Sequence, residues 1–267
     1  MSDPSNPQNL IAYGPDANCT LALCDIKYSV YEYRPSPAAN GVFIALFGLA
    51  LLVHLVQGIR YREWSFMICM LLGCVDEMVG YGGRIMLYKD PFSFTGFLMQ
   101  IVCITIGPVF YCAAIYVLLG RTIKLLGARH SRISVGLFYW AFLTCDVVSL
   151  VLQATGGAMS STSSGSSATA NDIALAGLSF QVVTLVIFIG LAVDYAVTWR
   201  RHTTIEPPDE VSTSATLGTP FKIFVLALSS AILLILIRCA YRIDELSKGY
   251  GGPLIHNQGL FIGLEGV

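Results

Sequence analysis

Six long apolar segments, separated by short polar stretches, set the pattern of this chain. Each segment reaches the length of about 20 predominantly apolar residues that an α-helix needs to cross the hydrocarbon core of a bilayer. The pattern therefore predicts an all-α fold, a polytopic bundle of membrane-spanning helices. The predicted spans are residues 38–58, 64–85, 97–120, 135–159, 173–199 and 221–240.

The two ends of the chain differ from its middle. Residues 1–33 are polar and lack the basic, apolar and small-residue plan of a cleaved signal, so they form a tail, and the first span acts as the insertion signal. Residues 34–267 form the transmembrane domain. Residues 260–267 turn apolar and then stop, which predicts a seventh helix beginning near residue 258. Two interpretations stay open: the sequence is truncated there, or the chain ends at the interface.

The distribution of lysine and arginine predicts the orientation. The basic loops and helix flanks fall mostly on one side of the predicted membrane, which the positive-inside rule assigns to the cytoplasm. The N-terminal tail is then extracellular, and the plasma membrane is the expected location. An extracellular tail would allow a glycan on Asn18, in the sequon Asn18-Cys19-Thr20, and a disulfide between Cys19 and Cys24. The basic side comprises Arg60, Arg62, Arg121, Lys124, Arg129, Arg132, Arg200, Arg201 and Lys222.

Composition agrees with a membrane protein and argues against nucleic-acid binding. The 267 residues are 55% hydrophobic and 12% charged, and the mean hydropathy is +0.66. A soluble domain has about 25% charged residues. The net charge of −1 and the lack of a dense basic cluster give no support for a nucleic-acid partner.

The sequence contains no pattern typical of a cofactor or catalytic metal. Of its four histidines, His54 alone lies within a predicted span, and there is no H-x-x-x-H or H-E-x-x-H motif. A membrane zinc hydrolase would need about three such ligands close together. No predicted span has a lysine in its middle to carry a retinal Schiff base, and no P-loop motif is present for ATP-driven pumping. We therefore predict a protein without cofactor or metal that is not an enzyme.

Polar residues inside the apolar segments form three stripes at helical spacing. A charge at the bilayer centre costs about 3 kcal/mol on insertion scales, so the stripes should face protein or a wet cavity. One interpretation is a set of buried ion pairs that only holds helices together; the other, which we adopt as the hypothesis, is a functional polar path. The stripes are Glu77, Gly80, Tyr81 and Arg84; Asp146, Ser149, Gln153 and Gly156-Gly157; and Arg238, Tyr241, Arg242 and Glu245.

The third span contains a further polar residue and a helix breaker. Gln100 lies near its start, and Gly107-Pro108 lies in its middle. Proline removes one helix hydrogen bond and clashes with the carbonyl group four residues earlier, so a kink is expected before Pro108. Such a kink can be a simple bend or a hinge, and we predict a hinge.

Several motifs, in order, extend over residues 33–267 and resemble those of one family. They are Tyr33-Arg34-Pro35-Ser36 with Ala39-Asn40, Gly58-Ile59-Arg60-Tyr61-Arg62, Glu77-x-x-Gly80-Tyr81-x-x-Arg84, the run from Gln100 to Gly107-Pro108, Leu119-Gly120-Arg121, the run from Cys145-Asp146 to Gly156-Gly157, and Arg238-x-x-Tyr241-Arg242-x-x-Glu245. This set is similar to the fungal lipid-translocating exporter family, which includes proteins linked to aminocholesterol resistance and to export of sphingoid long-chain bases. The resemblance implies seven spans with the N-terminus outside and a role in lipid movement, membrane stress or drug tolerance. The sequence departs from that pattern because most of the seventh helix is missing.

We therefore predict an integral membrane protein that moves or exports amphiphilic lipids, such as sphingoid long-chain bases or sterol-like compounds, across the fungal membrane. Membrane lipids would be its partners. A polar path is needed because a headgroup otherwise loses its hydration at mid-bilayer. We expect Glu77 and Asp146 to form a central site for an ammonium group. The remaining predicted path residues are Tyr81 and Gln153 as hydrogen-bond donors, Arg84, Arg238 and Arg242 at the outer rim, and Gln100 and Glu245.

Two alternatives use the same polar core. A seven-span lipid sensor or receptor-like regulator would bind its ligand stoichiometrically and change a partner, whereas a transporter would move many lipids per protein. A purely structural or stress-response protein would tolerate neutral replacements along the stripes as long as the helices still packed.

Overall fold

The computed structural model describes residues 10–12, 14, 16–126, 135–162, 168–205, 218–247 and 258–264. Within these ranges every regular element is helical: a 3-10 turn at Ile26–Tyr28 and seven α-helices. The first six helices are long and apolar enough to cross a membrane, so the predicted all-α membrane bundle is confirmed. The helices are α1 (Pro37–Tyr61), α2 (Trp64–Lys89), α3 (Phe94–Leu126), α4 (Val135–Thr162), α5 (Ala168–Ile205), α6 (Thr219–Ser247) and α7 (Gln258–Leu264).

The helices run past the predicted spans because no breaking residue stops them where the apolar stretch ends. The clearest case is α6, predicted to end at residue 240 but helical to Ser247. Its extension carries Arg242 and Glu245 on the same helix as Arg238, so the third polar stripe is one continuous face. The seventh helix begins at Gln258, where the apolar pattern places its start.

The turn between α1 and α2 is a tight hairpin. Ser36 caps the start of α1 by accepting a hydrogen bond from the Ala39 amide, and Pro37 occupies the first helical turn. At the other end, Arg62 adopts a left-handed conformation, with φ of 57°, and α2 begins two residues later. The short turn places α1 and α2 side by side and antiparallel.

Glycine residues bring neighbouring helices close together. A side-chain Cβ added at Gly83 of α2 would lie 2.8 Å from the Gly96 carbonyl oxygen of α3. A Cβ at Gly156 of α4 would lie 2.6 Å from the Ala174 amide nitrogen of α5. Such small residues let the backbones of membrane helices approach. The α2–α3 and α4–α5 pairs are accordingly the most extensive contacts of the bundle.

The two halves of the bundle are filled differently. We call the half that contains the end of α2 and the start of α3 the tail-side half, because Arg34 of the N-terminal tail donates a hydrogen bond of 2.8 Å to the Tyr88 carbonyl oxygen there. The opposite half has an aromatic core in which Tyr116 packs on Phe188, with ring centroids 4.6 Å apart, and Phe188 packs on Phe142. The tail-side half holds Gln100 and Thr105 of α3 and Arg238, Arg242 and Glu245 of α6, which share one cavity wall.

Candidate functional site

A buried ion pair joins α2 to α6. Arg238 Nη2 lies 2.8 Å from Glu77 Oε1, and the Glu77 side chain is 0% exposed. The same nitrogen donates a hydrogen bond of 3.1 Å to the Ile104 carbonyl oxygen of α3. Burying either charge alone would be costly, so the pair lets both side chains lie inside the membrane-spanning part of the bundle.

Gly107-Pro108 forms the notch that receives this ion pair. Pro108 has no amide hydrogen, so the Ile104 carbonyl, four residues earlier, loses its helix partner. Arg238 supplies the missing donor. Gly107 makes room for the carboxylate, because a Cβ at that position would lie 2.6 Å from Glu77 Oε1. The predicted hinge at these two residues stays a prediction, but their packing role is visible directly.

A second charged pair lies one turn further along α6. Arg242 Nη1 contacts Glu245 Oε2 at 2.6 Å, and Arg242 Nη2 donates a hydrogen bond of 3.2 Å to the Thr105 hydroxyl of α3. Thr105 in turn donates to the Ile101 carbonyl oxygen at 2.6 Å. The polar face of α6 therefore lies against α3 over two helical turns.

Arg84 holds the N-terminal tail and α7 together on the tail-side end. Its Nη2 donates a hydrogen bond of 3.0 Å to the Tyr33 hydroxyl, and its guanidinium carbon lies 3.7 Å from the centroid of the Phe261 ring. The Tyr31 ring is 5.5 Å away. Burial raises the pKa of the Tyr31 phenol, so it stays neutral at physiological pH. Arg84 is thus positioned as a clamp for the tail.

Tyr81 and Asp146 each lie in a closed environment of their own. Tyr81, 0% exposed, stacks on Phe43 of α1 with ring centroids 4.9 Å apart. Asp146 of α4 accepts a hydrogen bond of 2.9 Å from the Tyr116 hydroxyl, at the edge of the aromatic core. Glu77 and Asp146 therefore have different partners on different helices, and this conformation does not bring them together.

A cavity of about 180 Å³ lies in the tail-side half between α3, α4, α5 and α6. Most of its wall is apolar. Gln100 is 2% exposed, and its carbonyl oxygen has no hydrogen-bond partner among the residues that the structure describes. Gln153 Nε2 donates a hydrogen bond of 3.0 Å to Gln181 Oε1 across the α4–α5 contact. The polar residues of the wall are Gln100, Thr105, Gln153, Gln181, Arg238, Arg242 and Glu245.

The cavity gathers part of the predicted path. Gln100, Gln153, Arg238, Arg242 and Glu245 line it. The other predicted path residues, Glu77, Tyr81, Arg84 and Asp146, are buried elsewhere in the described part of the bundle.

Sequence reasoning missed three residues at the site. Gln181 was visible as an isolated polar residue in an apolar span, but its partner Gln153 belongs to another helix. Thr105 looks like an ordinary helix residue in the sequence, and Tyr31 lies in the tail, yet both line the cavity. Nothing in the spacing of these residues predicts which helix faces they would meet.

Among the described residues, no three His, Cys, Asp or Glu side chains come together as ligands for a metal ion. In the tail, Cys19 and Cys24 form a disulfide. Asn18 Oδ1 accepts a hydrogen bond of 2.7 Å from the Ile11 amide, and the glycan on Asn18 stays a prediction.

Comparison with known proteins places the chain in a family. The sequence model described as RTA1 like protein matches residues 70–267. The chain belongs to the RTA1-like family. The resemblance drawn from the sequence motifs is therefore confirmed.

The chain is similar in sequence to three named proteins of Saccharomyces cerevisiae. Sphingoid long-chain base transporter RSB1 is 30% identical over 270 residues, which cover 87% of this chain and 68% of the relative. Protoporphyrin uptake protein 1 is 27% identical, covering 89% of this chain and 87% of that protein. Protein RTA1 is 29% identical, covering 86% and 78%, respectively. No solved structure matches the chain significantly.

Proposed function

We propose that this RTA1-like protein moves amphiphilic lipids across a membrane, with their headgroups bound in the tail-side cavity. One observation carries the proposal: polar groups from four membrane helices surround a cavity of about 180 Å³ inside the bundle. The names of two relatives, a sphingoid long-chain base transporter and a protoporphyrin uptake protein, support membrane transport of amphiphiles.

The cavity offers both kinds of hydrogen-bonding group that a headgroup needs. Gln100 Oε1 is a buried acceptor without a partner in the described part of the chain. Leaving such a group unsatisfied costs about 1–3 kcal/mol, which a ligand donor would recover. Glu245 adds a carboxylate, and Arg242 adds a cation. An ammonium or hydroxyl group could donate to Gln100 and Glu245, while a headgroup oxygen accepts from Arg242.

Sphingoid long-chain bases fit this chemistry, because their polar end carries an amine and hydroxyl groups. Sterol-like compounds, with one hydroxyl group, would use fewer of the polar groups. We take the Glu77–Arg238 pair as the contact that holds α2, α3 and α6 around the cavity. The extracellular tail and the plasma-membrane location are parts of the same proposal. A path that includes Glu77 and Asp146 stays a prediction, since neither residue lines the cavity.

The test is leaflet-to-leaflet movement of a fluorescent sphingoid long-chain base in proteoliposomes. Gln100→Leu keeps the side-chain size but removes the acceptor, and we expect transport to fall by about tenfold because one buried headgroup hydrogen bond is lost. Gln57→Leu is the matched control, since Gln57 is exposed on α1 and should leave the rate unchanged.

Each outcome separates the hypotheses. Undiminished transport by Gln100→Leu, in protein that reaches the membrane, would contradict the proposal that the headgroup binds in this cavity. Saturable binding by the parent protein without multiple turnovers would contradict transport and support the lipid-sensor alternative.

A further inference from the structure

The cavity is too small for a whole membrane amphiphile. Its volume is about 180 Å³. An engineered protein cavity of about 150 Å³ holds one benzene molecule, whereas sites for drug-sized ligands enclose about 300–1,000 Å³. A polar headgroup therefore fits inside, but a long hydrocarbon chain must lie elsewhere.

At both ends, packed residues form the wall of the cavity. On the tail side, Tyr31 is 6% exposed and packs on Phe97, with ring centroids 6.0 Å apart. Toward the other end, the wall includes Pro108, beyond which α3 enters the aromatic core at Cys112 and Tyr116. A chain leaving the cavity along the bundle axis would have to displace one of these contacts.

The side between α3 and α4 is different. Val102 of α3 lines the cavity and is 43% exposed. Across from it, Ala154 and Ala158 of α4 line the cavity and are also exposed. Both helices are long and apolar enough to cross a membrane, so we place this surface against the bilayer. With Gly157 between them, the α4 edge carries no side chain larger than a methyl group at these three positions.

We infer that the apolar tail of the bound amphiphile leaves the cavity between Val102 on α3 and the Ala154-Gly157-Ala158 edge of α4 and lies in the bilayer. We call this opening the side portal. The buried Gln100 acceptor, which has no partner in the described ranges, fixes the headgroup end. The inference rests on the proposed function and adds to it a ligand class: amphiphiles with a single slender chain next to the headgroup.

This arrangement has a physical advantage. The tail keeps its hydrocarbon surroundings throughout, so the protein needs to shelter only the polar end. The length of the lipid chain beyond the portal should then have little effect on binding affinity, whereas the width of the chain at the portal should have a large effect. A side chain that fills the portal should exclude long-chain ligands yet leave room for the isolated headgroup.

The experiment compares two probes that share one 2-amino-1,3-diol headgroup: an eighteen-carbon sphingoid base and a four-carbon analogue. Binding of each to the full chain in nanodiscs is measured for the parent and for Ala158→Phe. We expect about tenfold weaker binding of the long probe, because overpacking the portal is unfavourable, and no change for the short probe. Val151→Phe is the matched control: Val151 is 60% exposed on the same helix and lies outside the cavity wall.

A second measurement does not depend on the variant folding. A long-chain base carrying a photoreactive group in mid-chain should label parent α3 and α4 around Val102 and Ala158. Labelling confined to α1 or α5 would overturn the side portal, as would equal effects of Ala158→Phe on both probes or equal effects of Ala158→Phe and Val151→Phe.

A different result is expected if the proposed lipid-transport function itself is wrong. In that case the parent binds neither probe, and the side portal falls with it. If Gln100→Leu weakens both probes while Ala158→Phe weakens neither, the headgroup site stands and the side portal alone is wrong.

Discussion

Arg238 contacts a carboxylate on α2 and a backbone carbonyl group on α3. Its Nη2 atom lies 2.8 Å from the Glu77 carboxylate and 3.1 Å from the Ile104 carbonyl oxygen that Pro108 leaves without a helix partner. A proline in a membrane helix is tolerated when a neighbouring group satisfies the freed carbonyl. The sequence predicts a hinge at Pro108; in the structure, Pro108 also frees the Ile104 carbonyl oxygen to accept a hydrogen bond from Arg238 of the ion pair.

Gly107 gives the first prediction at this scale. A methyl group at position 107 would lie 2.6 Å from Glu77 Oε1, so Gly107→Ala should displace the carboxylate and destabilise the protein by about 1–3 kcal/mol, the usual range for overpacking. Thermal unfolding in detergent measures the effect.

The control is Gly190→Ala. Gly190 also lies within a membrane helix, but an added Cβ there would meet nothing within 4 Å. Alanine is a better helix former than glycine by about 1 kcal/mol, so this change should be neutral or slightly stabilising. Equal destabilisation by Gly107→Ala and Gly190→Ala would contradict the inference that Gly107 makes room for the Glu77 carboxylate.

At the scale of elements, the N-terminal tail is docked on the bundle by a few specific contacts. Arg84 of α2 donates to the Tyr33 hydroxyl and lies over the Phe261 ring of α7. Arg34 of the tail lies over the Tyr88 ring, 4.4 Å from its centroid. Tyr31, between these contacts, lines the cavity. The tail is therefore part of the site.

Arg84→Gln should loosen that docking. The substitution removes the cation from two aromatic rings and a charged hydrogen bond, together worth about 1–3 kcal/mol. Hydrogen exchange of residues 26–36 should become about tenfold faster, while exchange in the aromatic core should not change. Lys89→Gln, an exposed position at the end of the same helix, serves as the control; equally fast exchange in both variants would mean that Arg84 does not hold the tail.

At the scale of the whole molecule, two closely packed helix pairs meet around the cavity. Glycines bring α2 against α3 and α4 against α5, and the aromatic core fills the half away from the tail. The tail-side half contains the cavity, and charged and amide side chains form part of its wall. A ligand site at this end would face the extracellular side if the predicted orientation holds.

The orientation itself is the prediction at this scale. Basic residues concentrate at the end away from the tail, so the positive-inside rule places the tail outside. An epitope joined to the N-terminus should be reached by antibody on intact cells, and an epitope inserted between residues 206 and 217 should be reached only after permeabilisation. The reverse pattern would invert the molecule and put the cavity in the cytoplasmic half.

The sequence alone determined the features that depend on local pattern. Hydrophobic length predicts the six spans, and helical spacing predicts that Glu77 and Arg84 share a buried face. Polarity inside or next to apolar segments also marked five predicted path residues that line one cavity: Gln100, Gln153, Arg238, Arg242 and Glu245.

The tertiary structure decided which of these residues are partners. Glu77 pairs with Arg238, Gln153 pairs with Gln181, and Asp146 lies apart with Tyr116. These contacts depend on how each helix is rotated about its axis and on which helices are neighbours. Neither property can be predicted from the local spacing of residues along the sequence. The same reason explains the side portal: small residues on α4 become an opening only because α3 lies opposite them.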